Sequence, residues 1–349
     1  MDEDTTVIGM DVSDRKADLY ILEPGKTGGR EEKIQISRQA IERRFQGMER
    51  TRVVMEAGTH SPWISRLLEA SGHEVIVADP RRIPLITQSD RKTDRTDAQL
   101  LARLGRTDLG LLKPIRHRSA QAQADLARVR ARDALVRART LLVNHARGSV
   151  KSMGYRLPSC STRSFASRAM GTLPEELRGA LQPVLEQVGQ LTLQIRAMDR
   201  ELARVAQERY PHTQLLQQVP GVGPITSLAY VLIIEDPTRF PKSRQVGAYF
   251  GLTARQSQSG EQDVRSRITK AGNGHMRRLL LQCAHYILGR FGPDCDLRRH
   301  GLAIAARGGS VAKKRARIAV ARKLAVMLCG IWRTGTAYEP LRATEPGAA

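Results

Sequence analysis

Short runs of alternating hydrophobicity, separated by polar loops, fill the first eighty residues of the chain. VIGMDV (7–12), DLYILE (18–23) and EKIQIS (32–37) predict three strands joined as a meander. A helical stretch around Arg38–Met48 comes next, then a strand TRVVMEA (51–57), a helix over Ser61–Ser71 and a strand HEVIVAD (73–79). Beyond Asp79-Pro80 the period changes from two to that of a helix. Ala120–Lys151 reads as one long helix. In the helical stretch that follows it, Leu181, Val184, Val188, Leu191, Ile195, Met198, Leu202 and Val205 recur at spacings of three and four, the seam of a coiled coil. A seam of about three and a half heptads serves equally well for packing within the chain and for a contact between two copies. Further on, LLQQVPGVGPITSLAYVLIIED (215–236) sets Gly221 and Gly223 between two apolar helical runs. Such a turn either offers backbone N–H groups to a phosphate, as a helix-hairpin-helix does, or merely connects two helices.

Three strands, helix, strand, helix, strand is the order of an RNase H-like domain, although other α/β folds share parts of it. The expected fold class is α/β plus all-α. An RNase H-like (RuvC-like) domain covers residues 1–110, a long basic helical coiled-coil arm 111–208, and a helical domain with the helix-hairpin-helix-like element 209–349.

Charge narrows the partners. The 349 residues carry 57 Lys and Arg against 35 Asp and Glu, a net +22, which favours a polyanion through phosphate neutralisation and counterion release. Residues 113–170 hold thirteen Lys or Arg against only Asp125 and Asp133, and 297–338 hold ten and no acid. The helix IAVARKLAVMLCGIW (318–332) then offers an apolar face for a core, and the basic face beside it, together with Lys313, Lys314 and Arg315 just before it, for a nucleic acid. A membrane is the rival polyanionic surface, but no apolar run approaches the roughly 20 residues of a spanning helix. The start Met1-Asp2-Glu3-Asp4 lacks a signal peptide's basic and apolar regions, so the bacterial cytosol or nucleoid is the expected location. Cys160, Cys283, Cys295 and Cys329 have no C-x-x-C spacing and read as reduced thiols. With 4% aromatic residues, base stacking is a minor resource and Arg and Lys must track the backbone.

Four acids stand out in this basic chain. Asp11 lies inside an otherwise apolar strand, where a lone charge is costly unless paired or bound to a cation. Glu56 ends the fourth strand before a glycine, and in an RNase H-like sheet that strand neighbours the first. Asp94 and Asp97, in RKTDRTDAQLLARL, share a helix face. Taken alone, that pair reads as an N-cap and a first-turn acid. Together the four lie at the ends of elements that such a fold converges, where their repulsion calls for a hard cation, Mg2+ or Mn2+. Two such ions about 3.5–4 Å apart serve phosphodiester cleavage.

These residues resemble the DEDD transposases of bacterial insertion sequences that are guided by a bridge RNA. The likeness rests on the Asp of IGMDVS, the Glu of VVMEAG and K-T-D-x-x-D-A at Lys92–Ala98. It rests also on VPGVGPITS (219–227), AYFGLTARQSQSGEQDVRSRITKAGNGHMRRLLLQCA (248–284) and AVARKLAVMLCGIWRTGTAYEPL (319–341). The resemblance implies that Asp11, Glu56, Asp94 and Asp97 form the metal-binding tetrad and that Ser259, in RQSQSG, is the catalytic serine, with Ser257 the alternative. On spacing alone Gln-Ser-Gln-Ser-Gly is a polar turn, because a serine hydroxyl is a poor nucleophile without a base or metal. Thr253-Ala254 stands where the family often has a proline after Gly-Leu. Lys270, Arg277 and Arg278, placed in the following helical stretch, read as phosphate contacts or as solvated charge. The resemblance also implies donor and target DNA as substrates, a structured guide RNA that pairs with both, and a phosphoserine intermediate. It implies a dimer, or a tetramer on DNA, in which one subunit's serine meets another's acids. The rivals are a RuvC-like nuclease with water as nucleophile and a non-enzymatic nucleic-acid-binding scaffold.

Overall fold

The computed structural model describes residues 5–79, 94–259 and 262–342, without the side chains of Asp94, 256–259 and 262–266. The chain divides into two compact units, residues 1–118 and 119–349.

The first unit is a mixed five-stranded sheet, β1 (Val7–Val12), β2 (Lys16–Leu22), β3 (Arg30–Gln35), β4 (Arg52–Glu56) and β5 (Glu74–Ala78), in the order β3-β2-β1-β4-β5. β1–β2 and β2–β3 are antiparallel, as consecutive strands with short loops must be, whereas β4 and β5 run parallel to β1. The crossovers carry α1 (Arg38–Phe45) and α2 (Ser61–Ala70), and α3 (Asp94–Thr107) follows β5. Order and pairing are compatible with the RNase H-like expectation.

Strand alternation gives the sheet two apolar faces. Ile8, Met10, Val53 and Met55 pack with Ile41, Phe45, Ile64 and Leu68 of α1 and α2, while Val7, Leu22 and Val54 pack with Ala98, Leu101 and Ala102 of α3. Two glycines let α3 lie against the backbone. A Cβ on Gly9 would fall 1.9 Å from the Ala98 carbonyl oxygen, and one on Gly105 would fall 2.4 Å from Val54 Cγ2 and 3.3 Å from Val7 Cγ1. Ala98 therefore sits over the middle of β1 and Gly105 over its start. The helix runs antiparallel to the strand, and its first turn lies at the end of β1 where Asp11 stands.

The second unit opens with α4 (Ala120–Ser152), α5 (Phe165–Met170) and α6 (Glu175–Arg209). Ion pairs of Arg132 with Asp199 (2.8 Å) and Arg128 with Glu201 (3.6 Å) align α4 and α6 antiparallel. The seam residues Leu181, Val188, Leu191, Ile195, Leu202 and Val205 are buried within the chain. Val184 and Met198 are only half-buried, and Leu185 is covered in place of Val184, beside Pro183 inside the helix. Where α6 ends, Asp125, with 0% of its side chain exposed, takes Arg209 and Arg128 at 3.2 Å, Tyr210 Oη at 2.9 Å and Gln121 Nε2 at 2.9 Å. Burial works to raise the Asp125 pKa, but the hydrogen bonds from Gln121, Tyr210 and Arg209 outweigh it and leave the carboxyl below its ordinary value. Burial first, and then the same carboxylate, push the Tyr210 hydroxyl up to about 12. A depressed folded pKa means that the unfolded chain binds the extra proton. This contribution is therefore complete above the unfolded value of about 3.9 and fades as pH falls through the lower folded value. Asp125→Asn removes the carboxylate that Arg209 and Arg128 share and is expected to cost about 2 kcal/mol in urea melts at pH 7. The gap between variant and wild type should narrow below about pH 4; a gap that widens on acidification would refute the assignment.

α7 (His212–Leu216) and α8 (Pro224–Ile234), buried from Thr226 onward, flank the Gly221 turn. Gly221 has φ +81, and a Cβ there would meet Tyr286 Cδ1 at 3.0 Å and the Cys283 carbonyl at 3.1 Å. Close packing on α10 (Gly274–Leu288) thus accounts for this glycine. After α9 (Gln245–Tyr249), and around α10, α11 (Asp296–Ala305) and α12 (Gly309–Thr334), comes a correction to the all-α expectation: β6 (Ala254–Ser259) and β7 (Gln262–Ile268) form an antiparallel hairpin. Arg255-Gln256-Ser257-Gln258-Ser259 has no apolar alternation, so a period-two signal was absent from the sequence.

Candidate catalytic site

Asp11 is the fifth residue of β1 and Glu56 the last of β4. In the parallel ladder Val7 pairs with Arg52 and Met10 with Met55, so Asp11 and Glu56 take neighbouring positions at the same edge. By alternation both belong to the α3 face, with Val7, Gly9 and Val54. Asp97 is 5% exposed. It precedes Ala98, whose carbonyl rests on Gly9. Asp94 is the first residue of the same helix; its side chain lies outside the described residues. Three elements thus bring their acids to one end of the sheet. The amino end of α3 supplies positive potential there through the helix dipole. Among the described residues, no three His, Cys, Asp or Glu side chains form a ready-made metal cluster. Mg2+ does not need one: it commonly keeps several waters and takes one or two carboxylates plus substrate phosphates. Asp11, Glu56 and Asp97 carry hard oxygen donors of the kind such an ion takes, and their backbone positions share one end of the sheet.

Ser259 ends β6 and pairs with Gln262, and Ser257 pairs with Val264. Both serine side chains, together with the tip Gly260-Glu261, lie outside the described residues. The hairpin's base is tightly built. Gly251 (φ +65) and Gly272 (φ +73) pass so closely that a Cβ on either would fall 2.2 Å from the Ala271 carbonyl oxygen or 2.0 Å from that of Tyr249. Arg277 Nη1 donates to the carbonyls of Ala271 (2.7 Å) and Phe250 (3.0 Å). The side chain expected to face phosphate is thus committed to anchoring the hairpin that carries Ser259. Lys270 is exposed, but it lies with φ +56 in the loop before α10, not in the helix. Arg278, in α10, is tied to Asp133 at 2.8 Å, and Asp133 also meets Arg137 at 3.2 Å. Lys313, Lys314 and Arg315 are exposed on the first turns of α12. The anchoring glycines and Arg277's clamp were missed in the sequence because they matter only once two distant segments cross.

Ser61 meets a histidine. Ser61 Oγ lies 2.9 Å from His117 Nε2, but it also donates to the Gly58 carbonyl and the residue is fully buried. Ser61 therefore serves the start of α2 and is closed to substrate. Among the described residues, no helix is long and apolar enough to cross a membrane.

Known sequences resemble the chain over most of its length. A family model described as "Transposase IS116/IS110/IS902 family" matches residues 213–298, and a DEDD-type IS110 model described as "Transposase" matches residues 8–154. The transposase for insertion sequence element IS1111A of Coxiella burnetii is 30% identical over 83% of this chain and 79% of its own length. A putative transposase of Sinorhizobium fredii, y4rJ, is 31% identical over 83% of this chain and 78% of its own. A probable family 20 transposase of Pseudomonas aeruginosa is 27% identical over 88% and 91%.

Proposed function

The chain belongs to the IS110/IS116 family of insertion-sequence transposases, enzymes that cut and rejoin DNA, and from that premise we propose that it does so through Asp11, Glu56, Asp94 and Asp97 as metal-holding acids and Ser259 as nucleophile. The observation that carries this is the packing of α3 on Gly9, which brings the Asp94–Asp97 turn to the strand ends that bear Asp11 and Glu56. Bound by these acids, Mg2+ or Mn2+ would neutralise charge at the scissile phosphate and lower the pKa of an attacking hydroxyl. The Ser259 oxygen forms the new bond to phosphorus as the bond to the leaving DNA oxygen breaks. The serine's proton ends on that leaving oxygen. Because the product, a phosphoserine ester, conserves a phosphate ester bond, a second DNA end can reverse the step without ATP. The ester's formation needs a serine delivered on a rigid support, which the glycine-crossed and Arg277-clamped hairpin base provides.

Specificity comes from a structured guide RNA that pairs with donor and target DNA. Supporting this is the excess of 57 basic over 35 acidic residues with only 4% aromatics, a composition that grips phosphates and reads few bases. The working form is a dimer, or a tetramer on DNA, in which one subunit's Ser259 serves another's acids. Sequencing the RNA that co-purifies with the full chain tests the guidance. One dominant species complementary both to the element's ends and to its insertion site is expected; RNA without such complementarity would remove the guide from the account.

A further inference from the structure

Four charged residues form one row across the sheet. Asp18 stands directly opposite Asp11 in the β1–β2 ladder, and Lys33 directly opposite Asp18 in the β2–β3 ladder. Glu56 follows on the other side of Asp11, one position past the Met10–Met55 pair. Directly opposed residues share a face, with Cβ atoms about 4.5–5.5 Å apart. This face is the one α3 covers, since Val7 and Leu22, a pair in the same ladder, both pack on that helix. The row therefore reads Lys33, Asp18, Asp11, Glu56.

Like charges directly opposite one another repel. Lys33 pairs with Asp18. Its Nζ lies 3.1 Å from Asp18 Oδ1, with the lysine side chain 73% exposed and the aspartate 14% exposed. A cleft of about 340 Å3, lined by Asp18, Glu31, Glu32, Lys33 and Arg95, opens beside that pair. It leaves Asp18 reachable by solvent, and Arg95 is paired with Glu31 there.

We propose that Asp18 is a positioning residue for the divalent cation: it adds negative potential beside Asp11, while Lys33 holds its carboxylate out of the coordination sphere and sets how strong that potential is. This rests on the assignment of Asp11 and its three companions as the metal-holding acids. Asp18 lies on β2, which contributes none of the four, and its carboxylate is paired with a lysine from the neighbouring strand.

Charge sign makes the test sharp. Mn2+ is titrated into the full chain by calorimetry at fixed pH and salt, for wild type, Asp18→Asn, Asp18→Glu, Lys33→Met and Asp11→Asn. Removing the negative charge of Asp18 should weaken Mn2+ binding about five- to tenfold, and Asp18→Glu should restore it. Removing the positive charge of Lys33 should tighten binding about two- to threefold, the smaller effect following from its exposure and screening. A structural role would move both variants in the same direction. Unchanged binding in Asp18→Asn, or shifts of the same sign in Asp18→Asn and Lys33→Met, overturns the proposal. If Asp18→Asn fails to fold, Lys33→Met on the exposed strand still decides by its sign, and looser or unchanged binding counts against the proposal. Unchanged binding in Asp11→Asn would sink the metal assignment itself, a failure distinct from that of Asp18.

Discussion

Asp11→Asn lowers strand cleavage and joining by about a thousandfold or more while the sheet stays folded. Asparagine keeps the size of aspartate and its place in the β1–β2 and β1–β4 ladders, so packing on Gly9 and α3 is untouched. In the proposed site, what is lost is one of the anionic oxygens that would hold the cation where charge develops on the phosphate. That loss is worth about 4 kcal/mol of transition-state stabilisation, and each 1.36 kcal/mol is about a factor of ten in rate. The thermal midpoint should stay close to that of wild type, as for an isosteric change that leaves the packing intact. Single-turnover cleavage and a melting curve on the same preparation check both halves. A rate within about tenfold of wild type, with normal melting, would leave the scaffold alternative standing.

Ser259→Ala is expected to abolish the covalent protein–DNA adduct that the proposed mechanism predicts on denaturing gels, and to reduce joining by about four orders of magnitude, the scale on which single nucleophiles matter when the rest of a site stays intact. The hairpin should persist, since the backbone pairing of position 259 with Gln262 makes no demand on the hydroxyl. Ser257→Ala should keep the adduct. If Ser259→Ala cuts and joins as wild type does, water is the nucleophile and the chain works as a metal-dependent nuclease. If the adduct vanishes with Ser257→Ala instead, the nucleophile lies one dipeptide earlier on the same strand.

The sequence made the first unit legible because its strands bury one or both faces and so carry their period openly. VIGMDV shows an acid where the pattern demands an apolar residue, and that contradiction marks Asp11 without any structure. Asp18 was legible only in part: once Asp11 and Asp18 lie on consecutive strands, the position of the turn between them fixes the register that sets one against the other. The β6–β7 hairpin was not legible, because a polar two-stranded ribbon has no buried face to impose alternation. Its geometry is held from outside by Gly251, Gly272 and the carbonyls that Arg277 gathers. The coiled-coil seam was read one residue off at Val184, beside Pro183, where Leu185 is the covered residue. Arg277 and Arg278 show why basic residues are poor guides on their own: both look like phosphate contacts in sequence, yet one caps backbone carbonyls and the other meets Asp133.

The central claim is that acids from β1, β4 and the first turn of α3 share a divalent cation. Anomalous scattering from crystals of the full chain grown with Mn2+ tests it most directly. The predicted result is one or two peaks about 2.1 Å from carboxylate oxygens of Asp11 and Glu56, with Asp94 or Asp97 completing the sphere. Strong peaks elsewhere, with those four carboxylates bare at saturating Mn2+, would contradict it.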